Sequence, residues 1–305
     1  MKVTLEQWRM LKAVVDHGGF AHAAQAVHKS QSSINHAIHK MEGQLGVKLL
    51  EVKGRKAHLT DAGRLLLRRA ERLLESASNI DALAASLEQG EEPEISLAID
   101  QTFPADYITE VLVQFSQDYP NTRIQLYETV LSGAAEALIQ GKVDLAIAGS
   151  GVSHFLAEPL FGVDFIAAAS PVHPLIRSGK TVAVDDLVNQ RQLVTRDSAL
   201  HQNIDSGWLE AEERWTVSNI ATSIDMIRRG VGFAWLPVTR IRELLRNGEL
   251  VPLPLESGGL RSMVLQLYYA EHDNSGPAVR HLAELLHRYA KEDVSNYSKV
   301  ICDYC

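Results

Sequence analysis

Cysteine is nearly missing from this 305-residue chain: Cys302 and Cys305, at the extreme C-terminus, are the only two. The fold is therefore expected to contain no disulfide and no cysteine-based metal site. No stretch approaches the ~20 consecutive apolar residues of a membrane span. The first residues, MKVTLEQWRMLK, lack the apolar core of a secretion signal, so a cytoplasmic protein is expected. Enzyme motifs are missing too. There is no Gly-x-Ser-x-Gly elbow and no phosphate-binding loop, and Gly230-Val231-Gly232 runs into Phe-Ala-Trp instead of completing a dinucleotide fingerprint. The expectation is a protein that is not an enzyme and uses no cofactor.

What is present is ordinary in bulk and uneven in detail. Apolar residues make up 46% and charged residues 22%, values of a soluble globular protein. The length suits about two domains. The chain carries a net −8, yet residues 1–60 hold nine Lys/Arg against four Asp/Glu. A basic head on an acidic body hints at a nucleic-acid module.

The head reads as short helices. Thr4 and Gln7 form a capping box ahead of a helix with Leu5, Trp8, Leu11 and Val15 on one face. His17-Gly18-Gly19 ends it, and an alanine-rich helix over 21–27 follows. After the turn at His28-Lys29, Ser30 caps a helix over 31–44 that buries Ile34, Ile38, Met41 and Leu45, and Gly46 stops it. Two helices about a tight turn match helix-turn-helix design. Residues 47–52 and 57–59 read as two strands around a basic glycine turn, a wing. A long helix spans 60–89, with Leu66, Leu73, Ile80 and Leu87 at a spacing of seven, the stripe of a coiled-coil partner. Gly90-Glu91-Glu92-Pro93 breaks it.

Beyond residue 94, strands and helices alternate. Strands are expected at 94–99, 123–128, 144–148, 165–169, 192–195, 232–236 and 263–269, with helices at 104–118, 132–140, 185–188, 221–229, 239–247 and 277–291. This alternation implies α/β units with mainly parallel pairing.

Residues 20–35, FAHAAQAVHKSQSSIN, resemble the N-terminal signature of LysR-type transcriptional regulators, as do MEGQLGVKLL at 41–50 and LTDAG at 59–63. In the body, QGKVDLAI at 140–147, HPL at 173–175, DDL at 185–187 and GVGFAWLP at 230–237 are similar to family segments, so the likeness covers nearly the whole chain. Three departures stand out. Gly19 replaces the usual Ser before Phe20. Ser32-Ser33-Ile34-Asn35 replaces Pro-Ala-Val-Ser. Leu50-Glu51-Val52 stands where Phe and Arg are usual.

The resemblance implies an α/β protein: a winged helix-turn-helix (1–59), a dimerising linker helix (60–90), a periplasmic-binding-protein-like effector domain (91–295) and a tail (296–305). The effector domain divides into one subdomain of 94–160 with 268–291 and a second of 161–267. Gln31, Ser32, Asn35, His36 and His39 oppose the buried face of their helix, and Gln and Asn can read adenine bidentately. Ser30 and Ser33 join them by resemblance, and Lys53, Arg55 and Lys56 of the wing suit phosphate or minor-groove contact. His36 and His39 have metal-ligand spacing but no third ligand, so no metal is expected.

In the effector cleft the resemblance places Thr102, Leu131, Ser132 and Gly149 from the first subdomain. Arg196, His201, Asn203, Thr222 and Phe233 come from the second. Thr102 and Ser132 precede helices, where amides favour an anion, and Arg196 suits the same charge. The implied function is DNA-binding regulation modulated by a small effector, with a homodimer or homotetramer on an interrupted palindrome of double-stranded DNA. RNA polymerase is a further partner if the protein activates, and no membrane is involved. The alternative is a solute-binding protein of the same fold without specific DNA function.

Overall fold

The computed structural model describes residues 2–53, 56–149, 152–201, 204, 206–273 and 275–301, with backbone alone at 52, 53, 56 and 292–301. The chain forms two compact units, residues 1–89 and 90–305.

The first unit contains α1 (Leu5–Asp16), α2 (Phe20–Ala26), α3 (Gln31–Leu45), β1 (Leu50–Lys53), β2 (Lys56–Leu59) and α4 (Asp61–Glu88). The capping box forms as expected: the Gln7 amide donates to Thr4 Oγ1 at 3.3 Å and the Thr4 amide donates to Gln7 Oε1 at 2.9 Å. Gly46 ends α3 at φ +75°, a left-handed conformation natural to glycine. One apolar core gathers Trp8, Leu11 and Val14 of α1, Ile34, Ile38 and Met41 of α3, and Leu67, Ala70 and Leu74 of α4. Fully burying a side chain such as Ile38 is worth about 1.5–3 kcal/mol, so the α3 stripe alone fixes which side of that helix faces outward. β1 and β2 pair antiparallel from Leu50–Leu59 to Lys53–Lys56, so the first strand starts at residue 50, not 47. The heptad stripe divides: Leu66 packs against the head core, whereas Leu73, Ile80 and Leu87 are exposed.

The second unit is built on one nine-stranded mixed sheet. Its strands are β3 (Glu94–Asp100), β4 (Arg123–Thr129), β5 (Leu145–Ala148), β6 (Leu156–Ala169), β7 (Gln192–Thr195), β8 (Arg214–Val217), β9 (Phe233–Pro237), β10 (Val251–Pro252) and β11 (Leu260–Tyr269). Around them lie α5 (Ala105–Asp118), α6 (Gly133–Ile139), α7 (Pro174–Arg177), α8 (Ile220–Arg228), α9 (Val238–Arg246) and α10 (Pro277–Ile301), with a 3₁₀ turn at Val184–Leu187. Spatial order is β4-β3-β5-β11-β6-β9-β7-β8, with β10 on β6. Pairing is parallel in β4-β3-β5 and in β9-β7-β8, but the long strands β6 and β11 join these groups through antiparallel pairs. The expectation of mainly parallel pairing therefore holds within each lobe and fails at the join.

Both long strands serve both lobes. Phe161, Val163 and Leu265 belong to the core of the first lobe, although they lie inside the span assigned to the second. A register shift between Leu265 and Gln266 marks the passage from one lobe to the other. The last helix also exceeds expectation. It runs to Ile301 because no proline or glycine follows Pro277 to stop it, so residues 296–301 are helix rather than tail. Cys302 and Cys305 lie outside the described residues.

Candidate functional site

In the first unit the candidate surface is the outer side of α3. Ser30 caps the helix, its Oγ accepting from the Ser33 amide at 3.2 Å and lying 3.1 Å from Ser32 Oγ. Gln31, Ser32, Ser33, Asn35, His36, His39 and Lys40 are all exposed, while Ile34, Ile38, Met41 and Glu42 are buried. The expected residues thus share one polar side of a helix whose other side is locked in the core. The backbones of Lys53 and Lys56 lie in the wing pair. Arg55 lies outside the described residues.

Glu42 is the residue that sequence reasoning missed here. Its Oε1 accepts from the Leu49 and Leu50 amides at 2.8 and 3.3 Å, and its Oε2 takes Lys48 Nζ at 2.8 Å. His39 Nδ1 lies 3.4 Å from the same Oε2. Burial works to raise its proton affinity, but Lys48 and the two amides prevail and hold the carboxyl below the usual glutamate range. Glu42 thereby ties the end of the exposed helix to the start of the wing. Behind the wing, Thr60 Oγ1 donates to the Lys48 carbonyl at 2.7 Å and accepts from the Gly63 amide at 2.9 Å. A Cβ on Gly63 would stand 2.1 Å from the Leu49 carbonyl oxygen, so α4 approaches the backbone just ahead of β1 closely only because residue 63 is glycine.

In the second unit the candidate site is a cleft of about 790 Å³ between the lobes, the size of a small-ligand pocket. Thr102, Leu131, Ser132, Gly149 and His201 line it. Arg196 instead lines an adjoining groove of about 670 Å³, together with Arg214. Thr222 is exposed on α8 and its neighbour Ser223 lines the cleft in its place. Phe233 is fully buried in the second lobe's core, and the following Ala234, Trp235 and Leu236 line the cleft instead. One step along a helix turns a side chain by about 100°, and one step along a strand reverses its side, which sets Ala234 and Leu236 opposite Phe233. Asn203 lies outside the described residues.

The amides expected to meet a ligand anion are already occupied. Asp100 accepts from the Thr102 amide at 2.9 Å, from Thr102 Oγ1 at 2.5 Å and from the Leu131 amide at 3.0 Å. Asp197 takes the Ser132 amide at 3.2 Å, the Ser132 hydroxyl, and the amides of Ala199 and Ile204 at 3.0 Å each. These two side chains already fill the acceptor role at those loops. Burial pushes Asp100 above the usual aspartate range despite its three donors, and neighbouring Asp197 adds to the rise.

A strap after β7 fastens the lobes. Ser198 Oγ accepts from the Val130 amide at 2.9 Å, and Glu136 accepts from the amides of Leu200 and His201 at 2.8 and 2.9 Å. His201 Nδ1 pairs with Glu136 Oε1 at 2.7 Å. The strap amides and His201 hold the Glu136 carboxyl below its ordinary range. A Cβ on Gly133 would meet Ser198 Oγ at 1.9 Å, so the strap seats against a glycine.

Arg261 is the one Lys or Arg among the described residues that line the main cleft. Its guanidinium lies over the Trp235 ring, 4.2 Å from the centroid. Trp208 and Trp235 pack with ring centroids 5.8 Å apart. No described cluster of His, Cys, Asp and Glu could hold a metal ion.

Comparison with known proteins follows this division of the chain. Residues 5–64 match the model of the bacterial regulatory helix-turn-helix protein, lysR family, and residues 88–291 match that of the LysR substrate binding domain. An uncharacterized HTH-type transcriptional regulator, YeeY of Escherichia coli K12, is 27% identical, covering 82% of this chain and 83% of its own. The full-length virulence activator AphB of Vibrio cholerae superposes with TM-score 0.52 at 19% identity, over 94% of this chain and 100% of that one. Full-length LysG of Corynebacterium glutamicum, with arginine as its bound effector, superposes with TM-score 0.51 at 18% identity, over 95% and 99%.

Proposed function

The chain belongs to the LysR family of DNA-binding transcriptional regulators, which are not enzymes, and we propose on that premise how its two units divide the work. The outer side of α3 reads bases in the major groove of double-stranded DNA, with Gln31 and Asn35 as the base readers. Ser30, Ser32, Ser33, His36 and His39 complete the contact, and the wing lysines with Arg55 hold phosphates. The observation that carries this reading is the exposed polar row of α3 backed by a fully buried apolar one. The exposed Leu73, Ile80 and Leu87 supply a coiled-coil seam between two copies, so two heads present two α3 helices to an interrupted palindrome. The protein works in the cytoplasm as a homodimer or homotetramer, and RNA polymerase is a partner where it activates.

The interlobe cleft holds the effector. Its volume and its wall of apolar groups with a few polar ones support this, as does the arginine effector of LysG, a neighbour in fold. A ligand that favours one lobe spacing over another shifts an existing equilibrium of the dimer and so the spacing of the heads.

Two experiments test the reading. Genomic fragments selected by the full-length protein at near-physiological salt should enrich interrupted palindromes. No enrichment, with or without a metabolite extract, contradicts it. Leu73→Asp should lower the solution mass of the oligomer without unfolding the chain, because residue 73 is exposed. An unaltered mass assigns the seam to another element.

A further inference from the structure

Charge in the cleft is distributed unequally. The carboxylates that line it are saturated: Asp100 by Thr102 and Leu131, and Glu136 by the strap amides and His201. Arg261 is not. Among the described residues its guanidinium has the Trp235 ring beneath it and no carboxylate partner. It sits on β11 opposite Phe165 of β6, and its Nη1 reaches to 3.0 Å of where a Cβ on Gly207 would stand. Gly207, at φ +89°, leaves room there for the guanidinium. A half-buried cation over an aromatic face, with no carboxylate partner among the described residues, forgoes the stronger hydrogen bonds a carboxylate would supply.

The wall around it is apolar and aromatic: Phe165, Trp208, Trp235 and Met263. Gln192, Trp208 and Ser223 also line this cleft.

We propose that the effector is a small organic carboxylate with a planar apolar body, and that Arg261 is the residue that selects it. The carboxylate takes the N–H groups of Arg261, and the body lies along Trp208 and Met263. This rests on the reading that the cleft is the effector site. It relocates the anion-selecting charge from the helix starts at Thr102 and Ser132, and from Arg196, to a strand residue of the hinge region.

The test uses the full-length protein and matched probes: 3-phenylpropionate, its neutral amide and 3-phenylpropylamine. Binding is read by tryptophan fluorescence and by the shift in thermal midpoint. The carboxylate should bind wild type at least about tenfold more tightly than the amide or the amine. Arg261→Gln should lose roughly tenfold or more in carboxylate affinity, while Arg214→Gln, in the adjoining groove, retains it. Equal binding of all three probes, preference for the amine, or no carboxylate binding at millimolar concentration overturns the proposal. A third variant separates this from failure of the cleft reading. Met263→Trp fills the cleft and should abolish binding of every probe while leaving the probe-free midpoint near wild type. Carboxylate binding that persists there while Arg261→Gln still weakens it would refute the cleft as the site.

Discussion

The head and the body use the same device, a buried carboxylate that accepts backbone amides, and obtain opposite electrostatics from it. In the head Glu42 has a cation, Lys48, at 2.8 Å, and its carboxyl is held below the ordinary range. In the body Asp100 has only neutral donors and a second acid nearby, and burial holds it above. Three neutral hydrogen bonds do not offset the loss of hydration of a buried charge, whereas a cation with two amides does. The comparison extends to purpose. The head turns its unpaired polar groups outward, toward a large, wet and charged partner. The body turns Asp100 and Asp197 inward and surrounds them with donors of its own chain.

Substitutions can break this comparison one region at a time. The largest effect should come from Gly63→Val. Its Cβ falls 2.1 Å from the Leu49 carbonyl oxygen, and forcing the helix and strand apart should cost about 3 kcal/mol or more. Hydrogen exchange should accelerate across residues 5–74 and DNA binding should be lost, with exchange in 94–291 unchanged. Acceleration in both regions would show that the units do not fold independently. Next is Asp197→Ala, which strands the donors of Ser132, Ala199 and Ile204, and should cost the body about 2 kcal/mol. Here exchange should accelerate at residues 130–136 and 197–204 and not in the head.

The smallest effect sharpens the contrast of sign. Glu42, lowered in the folded head, stabilises it fully above the unfolded glutamate range, and this contribution is lost as pH falls through its folded value. Asp100, raised in the folded body, does the reverse. Its contribution is present below the unfolded aspartate range and is lost as pH rises through its elevated value. Glu42→Gln should therefore reduce the acid sensitivity of head exchange. Asp100→Asn should remove a loss of body stability on raising pH. Slopes changing in the same direction in both variants would contradict the assignment of causes.

Much of the head was legible in sequence because its signals are local. Thr4 with Gln7, Ser30, Gly46 and the period of Ile34, Ile38 and Met41 each act within one or two turns. Glu42 was not legible, since its amide partners arrive from beyond a chain reversal. The body was legible as alternating elements and less so as a site. The first half of β6 carries Pro159 and Gly162, which interrupt a strand pattern, and the edge strand β8 is mostly exposed and shows no apolar alternation. The pairs that shape the cleft, such as Leu131 with Asp100 and Ser132 with Asp197, join residues 31 and 65 apart. No local period encodes such contacts. Arg261 falls outside the strand expected at 263–269, and only the pairing of β11 with β6 and the cleft reveals its place.

The central claim is that α3 reads base sequence while the rest of the head supplies position. Its most direct test is the affinity of full-length wild type and Gln31→Ala for a selected palindrome and for a random duplex at one fixed salt concentration. The account predicts a loss of roughly 1–3 kcal/mol, about 5- to 150-fold, on the palindrome and little change on random DNA. An equal loss on both duplexes would contradict base readout by this helix.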